Sequence, residues 1–434
     1  MKKYTKHSLL TNFLAAIADK LGRMFLSFFF VSFMAKNLDK ENFGLINYII
    51  LLCSLAITFT WVISSDQIVN ELHRKKNRLG QVIGTSIFIR TLASFLTLFL
   101  FLGYAISNYS EEQFILIFLF SISIIVNPIS VVHCYFRYKT DLTKLIKLDF
   151  ISFITITLLK IFVIVKYKSI LLLTLCFSLE YIVSAIIYVF LFYTLKEKIK
   201  LSINPKLISP MLKVGFPLLL GTFTTIIFTK IDRIVIKFIL GLESVADYSI
   251  AVTLTEVWWT FPILLVQIMA SRIIYSSKLL IHPLLKDICK IISSIIVFII
   301  ILTVIFGGEV IDIVYSSKYS SSYSILIIYM FSTVFIFWDS LNNQFLIKVN
   351  KEKTILMKAI IGLLVNLSFC FILIHLFGII GAAISTLLAY FISWLSIYFL
   401  APEIRCVLTL QVQSLFLPFP NIKKTLTELK KHEY

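Results

Sequence analysis

The sequence predicts an all-α polytopic membrane protein with twelve transmembrane helices in two six-helix lobes. Three observations lead to this fold class. First, 59% of the 434 residues are hydrophobic, and the mean hydropathy is +0.94, both above the usual range of soluble domains. Second, apolar stretches long enough to cross the hydrocarbon core recur twelve times along the chain. Third, loops rich in Lys and Arg alternate with loops that are poor in them.

The twelve predicted segments follow one another with short connections. They cover residues 12–35, 43–64, 81–107, 114–134, 149–165, 170–195, 214–240, 248–271, 287–307, 323–347, 359–377 and 381–400. The first segment is too long for the apolar core of a cleaved signal peptide, so we expect it to be retained as a transmembrane helix. Asn127-Pro128, within the fourth segment, predicts a bend, because Pro lacks the backbone N–H that continues a helix.

The basic residues predict the orientation of the chain. Of the 41 Lys and Arg, 28 lie in the two termini and one set of alternate loops, including Lys358, and five lie in the other set. Because basic loops stay on the cytoplasmic side, both termini are expected in the cytoplasm. The expected location of the protein is the bacterial inner membrane. This distribution also accounts for the net charge of +18 without nucleic acid as a partner.

The longest central cytoplasmic loop divides the predicted spans into six and six. The expected organisation is an N-terminal lobe at 1–195, an inter-lobe loop at 196–213, a C-terminal lobe at 214–400 and a cytoplasmic tail at 401–434. Because each lobe contains an even number of spans, the two lobes would be related by a parallel pseudo-two-fold axis along the membrane normal. The pattern leaves no large extramembrane loop, which argues against a membrane-embedded glycan polymerase.

The seventh segment carries four charges where lipid tolerates few. Lys230, Arg233 and Lys237 share one narrow helix face. Facing lipid, these three cations would cost about 7–10 kcal/mol, so we predict that they line a water-filled cavity that accepts an anion; for Lys237, snorkelling to the interface is an alternative. Asp232 points away from this face and is expected to pair with a neighbouring helix. The candidate substrate-binding residues are Arg23, Arg90, Lys160, Lys230, Arg233 and Lys237.

Four intramembrane acids are candidates for coupling to an ion gradient, because a buried carboxyl group that alternates between neutral and charged forms can carry a proton or sodium ion. They are Asp19, Glu180, Glu256 and Asp339. Structural pairing is the alternative for each, and Asp19 lies one helical turn before Arg23, where a local ion pair can form. Asp149, Asp287 and Lys290 lie at predicted cytoplasmic helix starts and are interpreted as interfacial.

No catalytic group or metal site is predicted. The six Cys contain no CxxC pair, and all but Cys406 lie in apolar stretches, which is typical of small buried apolar residues. The six His never approach metal-ligand spacing. We therefore expect a non-enzymatic protein without a cofactor.

Several motifs resemble the polysaccharide-export flippases, of the O-antigen type, in the multidrug/oligosaccharidyl-lipid/polysaccharide exporter superfamily. Residues 35–44 (AKNLDKENFG) are similar to the Arg-Leu-Gly-x-x-x-Phe-Gly turn of the first hairpin. Residues 215–217 (GFP) with 230–233 (KIDR) resemble the opening of the second lobe, and Asn366 with 378–386 (GIIGAAIST) resembles a late Asn-rich helix followed by Gly-x-x-Gly-Ala-Ala. The resemblance extends over essentially the whole chain.

The resemblance implies a V-shaped bundle with a basic central cavity. Such a protein flips an undecaprenyl-diphosphate-linked oligosaccharide, an O-antigen or capsule repeat unit, from the cytoplasmic to the outer leaflet. It implies antiport driven by a proton or sodium gradient, and a polysaccharide polymerase and a chain-length regulator as protein partners. The alternatives are a cation-coupled drug exporter of the same superfamily, which would favour an acidic cavity, a lipid II flippase, which usually has two additional helices, and a glycan polymerase.

Overall fold

The computed structural model describes residues 6–139, 143–195, 199–275 and 278–416. These residues are predominantly helical and contain no β-strand, as the sequence predicts. Positions 196–198 of the predicted inter-lobe loop and 417–434 of the predicted tail lie outside the described residues. The chain divides into two compact units, with the division at Ile226 and Ile227.

The first unit is built from eight helices and the beginning of a ninth. They are α1 (Lys6–Asn37), α2 (Lys40–Thr60), α3 (Ser65–Arg74), α4 (Leu79–Asn108), α5 (Glu111–Val126), α6 (Val131–Lys139), α7 (Thr143–Lys166), α8 (Ile170–Tyr193) and α9 (Pro205–Leu240). Helix α1 packs on α7, α7 on α8, and α8 on α5, which also contacts α2 and α4. Asp39, Ser64, Ser110 and Ser169 accept a backbone N–H at the starts of α2, α3, α5 and α8, satisfying donors that a helix start leaves unpaired.

The second unit contains the rest of α9 and six further helices. They are α10 (Leu242–Tyr275), α11 (Lys278–Val314), α12 (Ser322–Lys348), α13 (Glu352–Phe377), α14 (Ile379–Leu400) and α15 (Arg405–Phe416). Helix α12 is central, because it contacts α10, α11, α13 and α14. Trp338 of α12 and Trp394 of α14 lie in its apolar core, with ring centroids 5.2 Å apart.

Ten helical stretches of the described chain are long and apolar enough to cross a membrane. They overlap ten of the twelve predicted segments. The other two, 12–35 and 248–271, lie within the helices α1 and α10, so the count of twelve spans stays a prediction. Large apolar side chains remain exposed along α4, and Phe99 is 79% exposed. Such a surface fits contact with lipid and would be unfavourable in water.

One helix interruption lies at a proline that predicts it, whereas α9 continues without a break through Pro217. The bend at Asn127-Pro128 is confirmed, because α5 ends at Val126 and a 3₁₀ turn, Asn127–Ser130, precedes α6. Gly378 separates α13 from α14 with φ of +60°, which an L side chain rarely adopts. Three residues later, a Cβ on Gly381 would lie 2.0 Å from the Leu373 carbonyl oxygen. Only glycine therefore permits this close approach of α14 to α13.

The predicted cytoplasmic tail begins with a packed helix. In α15, Gln411 is fully buried. Its Oε1 accepts a hydrogen bond from Trp394 Nε1 at 2.8 Å, and its Nε2 donates to Asn342 Oδ1 at 2.8 Å. These bonds join α15 to α12 and α14. The five cysteines other than Cys406 are buried, which confirms their interpretation as small apolar residues.

Candidate functional site

In the first unit, Arg23 of α1 bridges two carboxylates. Its Nε donates to Asp19 Oδ1 at 2.9 Å, within the same helix, and its Nη2 donates to Asp149 Oδ2 of α7 at 3.1 Å. The guanidinium carbon lies 5.0 Å from the centroid of the Phe153 ring. The local pair that the spacing of Asp19 and Arg23 allows is present, and the second carboxylate gives the guanidinium a fixed orientation.

Asp149 is a site residue that the sequence reasoning missed. Its Oδ1 accepts from Ser184 Oγ at 2.8 Å, and its Oδ2 accepts from the Tyr188 hydroxyl at 3.2 Å as well as from Arg23. Helix α7 begins at Thr143, so Asp149 lies nearly two turns inside the helix rather than at its start. Its apolar neighbours Leu148 and Phe150 are the sequence signal that it lies within the helix.

A cavity of about 290 Å³ opens beside Arg23 and Asp149 within the first unit. Its lining consists of Arg23, Val126, Asn127, Ser130, Asp149, Glu180, Tyr181, Ser184, Ala185 and Tyr188. One cation and two carboxylates are present among these residues. The Asn127 Oδ1 accepts from Thr60 Oγ1 at 3.0 Å and from Trp61 Nε1 at 2.9 Å. The orientation of this amide is thereby fixed.

Glu180 is paired with Lys160, another predicted site residue. Lys160 Nζ lies 2.5 Å from Glu180 Oε2, and it lies 4.0 Å from the centroid of the Phe177 ring. The Lys160 side chain is only 3% exposed, whereas that of Glu180 is 27% exposed. Lys160 therefore supports Glu180 from behind, and of the two only Glu180 lines the cavity.

Arg90 is fully buried and donates hydrogen bonds to the backbone between α2 and α3. Its Nε and Nη2 donate to the Ile63 carbonyl at 3.0 and 2.6 Å. Its Nη1 donates to Ser130 Oγ, at the edge of the cavity, at 3.1 Å. Without Arg90 the Ile63 carbonyl would lose these two donors inside an apolar core, which is unfavourable. The structure thus places Arg90 next to the cavity but not among its lining residues.

In the second unit, Asp232 of α9 is buried, with 1% exposure. It accepts hydrogen bonds from the Tyr248 hydroxyl of α10, from Thr386 Oγ1 of α14 at 3.3 Å and from the Arg233 backbone N–H at 2.8 Å. The expectation that Asp232 pairs with neighbouring helices is confirmed. Thr386 lies in the stretch 378–386 that resembles a family motif, but neither Thr386 nor Tyr248 was identified as a partner.

The cationic face of α9 meets an acid of α10. Arg233 Nη2 lies 3.9 Å from Glu256 Oε1, and Lys230 is close enough to both groups to interact electrostatically. Lys237 Nζ lies 4.7 Å from the centroid of the Phe238 ring. The structure therefore brings Arg233, Lys230 and Glu256 together, whereas Lys237 lies one to two turns further along α9.

Asp339, the remaining candidate acid, is paired with Lys358 of α13. Lys358 Nζ donates to Asp339 Oδ1 and, at 2.6 Å, to Asn343 Oδ1. The assignment of Lys358 to a cytoplasmic loop is wrong, because α13 begins at Glu352 and Lys358 is buried. The apolar residues on both sides of it, at 355–357 and 359–361, are the signal that it lies within a span.

A family model described as polysaccharide biosynthesis protein matches residues 9–269. The chain belongs to the polysaccharide biosynthesis protein family. This match confirms the family resemblance inferred from the motifs. An uncharacterized membrane protein of Methanocaldococcus jannaschii is 28% identical over 239 residues, which are 51% of this chain and 47% of that protein. The chain thus matches about half the length of this curated relative.

Solved structures similar to this polysaccharide biosynthesis family member are transporters and flippases. The lipid II flippase MurJ in an inward closed conformation gives a TM-score of 0.75 at 20% identity, covering 93% of this chain and 91% of that chain. An inward-facing multidrug resistance MATE family transporter of the MOP superfamily gives 0.67 at 11% identity, covering 95% and 96%. A MOP superfamily transporter from Pyrococcus furiosus gives 0.59 at 13% identity, covering 94% and 100%. The shared property is the fold of this superfamily.

Proposed function

We propose that the protein is a flippase that moves an undecaprenyl-diphosphate-linked oligosaccharide, an O-antigen or capsule repeat unit, from the cytoplasmic to the outer leaflet. It belongs to a polysaccharide biosynthesis family, and its fold is that of flippases and transporters. In this proposal the protein lies in the inner membrane with both termini in the cytoplasm, and a proton or sodium gradient drives alternating access. A polysaccharide polymerase and a chain-length regulator are its expected protein partners.

The observation that carries the proposal is the bridged position of Arg23. Two carboxylates compensate the charge of the Arg23 guanidinium within an apolar helix. Each of its two ion pairs can be exchanged for a bond to another anion. A diphosphate group can replace either carboxylate, because phosphate oxygens accept the same bidentate hydrogen bonds. Protonation of Asp19 or Asp149 would weaken its bond to Arg23 and so favour diphosphate capture, which couples ion movement to substrate binding.

A second group of charges in the other unit supports the same chemistry. Arg233 is 3.9 Å from Glu256, longer than a hydrogen bond, so its charge is only partly satisfied by this acid. Lys230 adds a second cation nearby. An anion that binds Arg233 would displace only the weak ion pair with Glu256. Displacing this pair costs less free energy than breaking a tight ion pair.

The test is a deletion of the gene followed by leaflet-specific detection of lipid-linked repeat units. We expect the units to accumulate on the cytoplasmic leaflet, where they react with a membrane-impermeant periodate reagent only in inverted vesicles. Wild-type protein should restore surface glycan, and Arg23→Ala should not, at equal abundance. Arg74→Ala, at an exposed position of α3, is the matched control. Normal surface glycan in the deletion strain would refute the proposal, and sensitivity to cationic drugs there would support an exporter.

A second candidate substrate is lipid II. The observation in its favour is the TM-score of 0.75 to a lipid II flippase over more than nine-tenths of both chains. Expression in cells depleted of their lipid II flippase distinguishes the two substrates. Growth restored by this protein, with no effect of its deletion on surface glycan, would replace the first candidate by the second.

A further inference from the structure

We infer that the cavity beside Arg23 is a carbohydrate subsite, which binds one pyranose ring of the lipid-linked substrate through both donors and acceptors. The inference rests on the proposed function, because it assigns a part of the proposed substrate to a place in the first unit. It rests on three properties of the lining residues: their charge, their free hydrogen-bonding groups and the size of the space that they enclose.

The charge of the lining disfavours a diphosphate inside the cavity. Asp149 and Glu180 both line it, and Arg23 is the one cation among the lining residues. Lys160, which neutralises Glu180, is buried behind it. Arg23 is shared between Asp19 and Asp149, so one carboxylate charge stays uncompensated. That charge repels a group with two or more negative charges in a medium of low dielectric constant. The diphosphate is therefore better placed at the Arg23 edge, with the adjoining sugar in the cavity.

The free hydrogen-bonding groups of the lining are mixed in kind. Among the described residues, Arg23 Nη1 and Asn127 Nδ2 are donors without a protein partner, and Glu180 Oε1 is an acceptor without one. The Tyr181 hydroxyl also lacks a protein partner there and can act in either sense. An anion needs only donors and a cation needs only acceptors. Sugar hydroxyls, which both donate and accept, match a mixed lining.

The structure fixes these groups before a ligand arrives. Asn127 cannot rotate its amide without losing the bonds from Thr60 and Trp61 to its Oδ1, so its Nδ2 is held as a donor. Glu180 is held by Lys160 through Oε2, which leaves Oε1 available. Binding groups that are already oriented lose little entropy when a ligand binds.

The size of the cavity fits one ring. Its volume of about 290 Å³ lies near the lower end of small-molecule sites, which are roughly 300–1,000 Å³. Tyr181 adds an aromatic surface that can pack against the C–H groups of a pyranose, since tyrosine combines an apolar ring with a polar tip. A whole oligosaccharide exceeds this space, so the cavity would bind a single residue of the repeat unit.

The test measures binding of methyl pyranosides to the full-length protein in lipid nanodiscs by saturation-transfer NMR. The probes are methyl glycosides of a hexose, an N-acetylhexosamine and a 6-deoxyhexose, with inorganic pyrophosphate and tetraethylammonium as comparison ligands. We expect at least one pyranoside to bind, and Tyr181→Phe to weaken its binding about three- to tenfold, the range for one hydrogen bond. Tyr193→Phe, on the same helix and 80% exposed, should leave binding unchanged.

A second pair of variants tests the donor. Asn127→Asp keeps the oxygen that accepts from Thr60 and Trp61 and replaces the free donor by an acceptor, so pyranoside binding should weaken by a similar factor. Asn108→Asp makes the same exchange at an exposed position of α4 and should have no effect. Equal elution and melting of the four variants would show that the fold is retained.

Three results would overturn the inference. In the first, no pyranoside binds, or all variants bind it equally. In the second, pyrophosphate competes with the pyranoside and Asn127→Asp no longer binds pyrophosphate, which identifies an anion site. In the third, tetraethylammonium binds more tightly to Asn127→Asp than to the wild type, which identifies a cation site. Failure of the proposed function is a separate result. A deletion strain with normal surface glycan refutes the flippase whichever probe binds, whereas lost glycan without pyranoside binding refutes only the sugar subsite.

Discussion

Lys160 of α7 donates to Glu180 of α8 across 2.5 Å, with the lysine buried and the glutamate open to the cavity. Because of this asymmetry, the two residues have different roles. Lys160 provides charge compensation and contacts Phe30 and Phe177, at 5.5 and 4.0 Å from its Nζ to the ring centroids. Glu180 presents its second oxygen to the cavity. One member of the pair is therefore structural, and the other is available to a ligand or an ion.

Removing only one charge of this pair should be destabilising. Glu180→Gln leaves the Lys160 ammonium buried without a counter-charge, and we expect a loss of about 1–3 kcal/mol, less than the ~3–5 kcal/mol of a fully buried pair because Glu180 is part-exposed. The double variant Lys160→Met with Glu180→Gln should recover most of the melting temperature of the purified protein. A double variant that melts below Glu180→Gln and below Lys160→Met would contradict this account.

The carboxylates that hold Arg23 should carry the coupling. Asn at position 19 or 149 keeps an oxygen for the guanidinium but cannot cycle between charged and neutral forms. We expect Asp19→Asn and Asp149→Asn to abolish gradient-driven transport in reconstituted vesicles while substrate binding remains measurable. Asp66→Asn, at an exposed ion pair with Arg137, is the control. Normal gradient dependence in both variants and in the amide variants of Glu180, Glu256 and Asp339 would remove carboxylate coupling from the mechanism.

Asp232 should be a structural residue rather than a transport residue. Tyr248→Phe removes a hydroxyl that donates to this buried carboxylate, and we expect a loss of about 1.5–3 kcal/mol, as for hydrogen bonds to charged groups. The measurement is the melting temperature together with abundance in the membrane. Tyr398→Phe, at an exposed position of the same unit, should melt like the wild type. Reduced transport by Tyr248→Phe at unchanged melting temperature would instead assign Asp232 to the transport cycle.

The orientation of the chain can be tested with single cysteines. Cys406 is the one exposed cysteine among those described, so Cys406→Ser provides an unreactive background. In intact spheroplasts, Ser320→Cys should react with an impermeant maleimide. Arg74→Cys should react only after the membrane is opened, because the basic loops are predicted to be cytoplasmic. Labelling of both positions from the same side would show that the predicted topology is wrong.

The sequence predicts the helices better than the environment of their charges. Apolar length locates the spans because the bilayer sets a minimum length for every crossing helix. The Asp19–Arg23 pair can also be predicted from the sequence, since residues four apart lie on one helix face. Asp149 lies 126 residues from Arg23, and no local pattern indicates that α7 packs on α1.

The loop assignment of Lys358 was wrong for a physical reason. The prediction began the eleventh span after a charge that flanks its apolar stretch, but a helix can extend past such a charge when another helix supplies a partner. Asp339 supplies one for Lys358, and Arg23 supplies one for Asp149. Burial of a charged residue is thus a property of the packed helices and not of the residue's own segment.

Three of the cross-helix ion pairs have a consequence for the biosynthesis of the protein. They join helices that are consecutive in the chain: Lys160 with Glu180, Arg233 with Glu256, and Asp339 with Lys358. Each helical hairpin therefore leaves the ribosome with both members of its ion pair and can enter the lipid with this pair balanced. Arg23 enters with Asp19 alone and acquires Asp149 only when α7 is made. Order of synthesis thus reduces the cost of inserting charges, and Arg23 waits 126 residues for its second carboxylate.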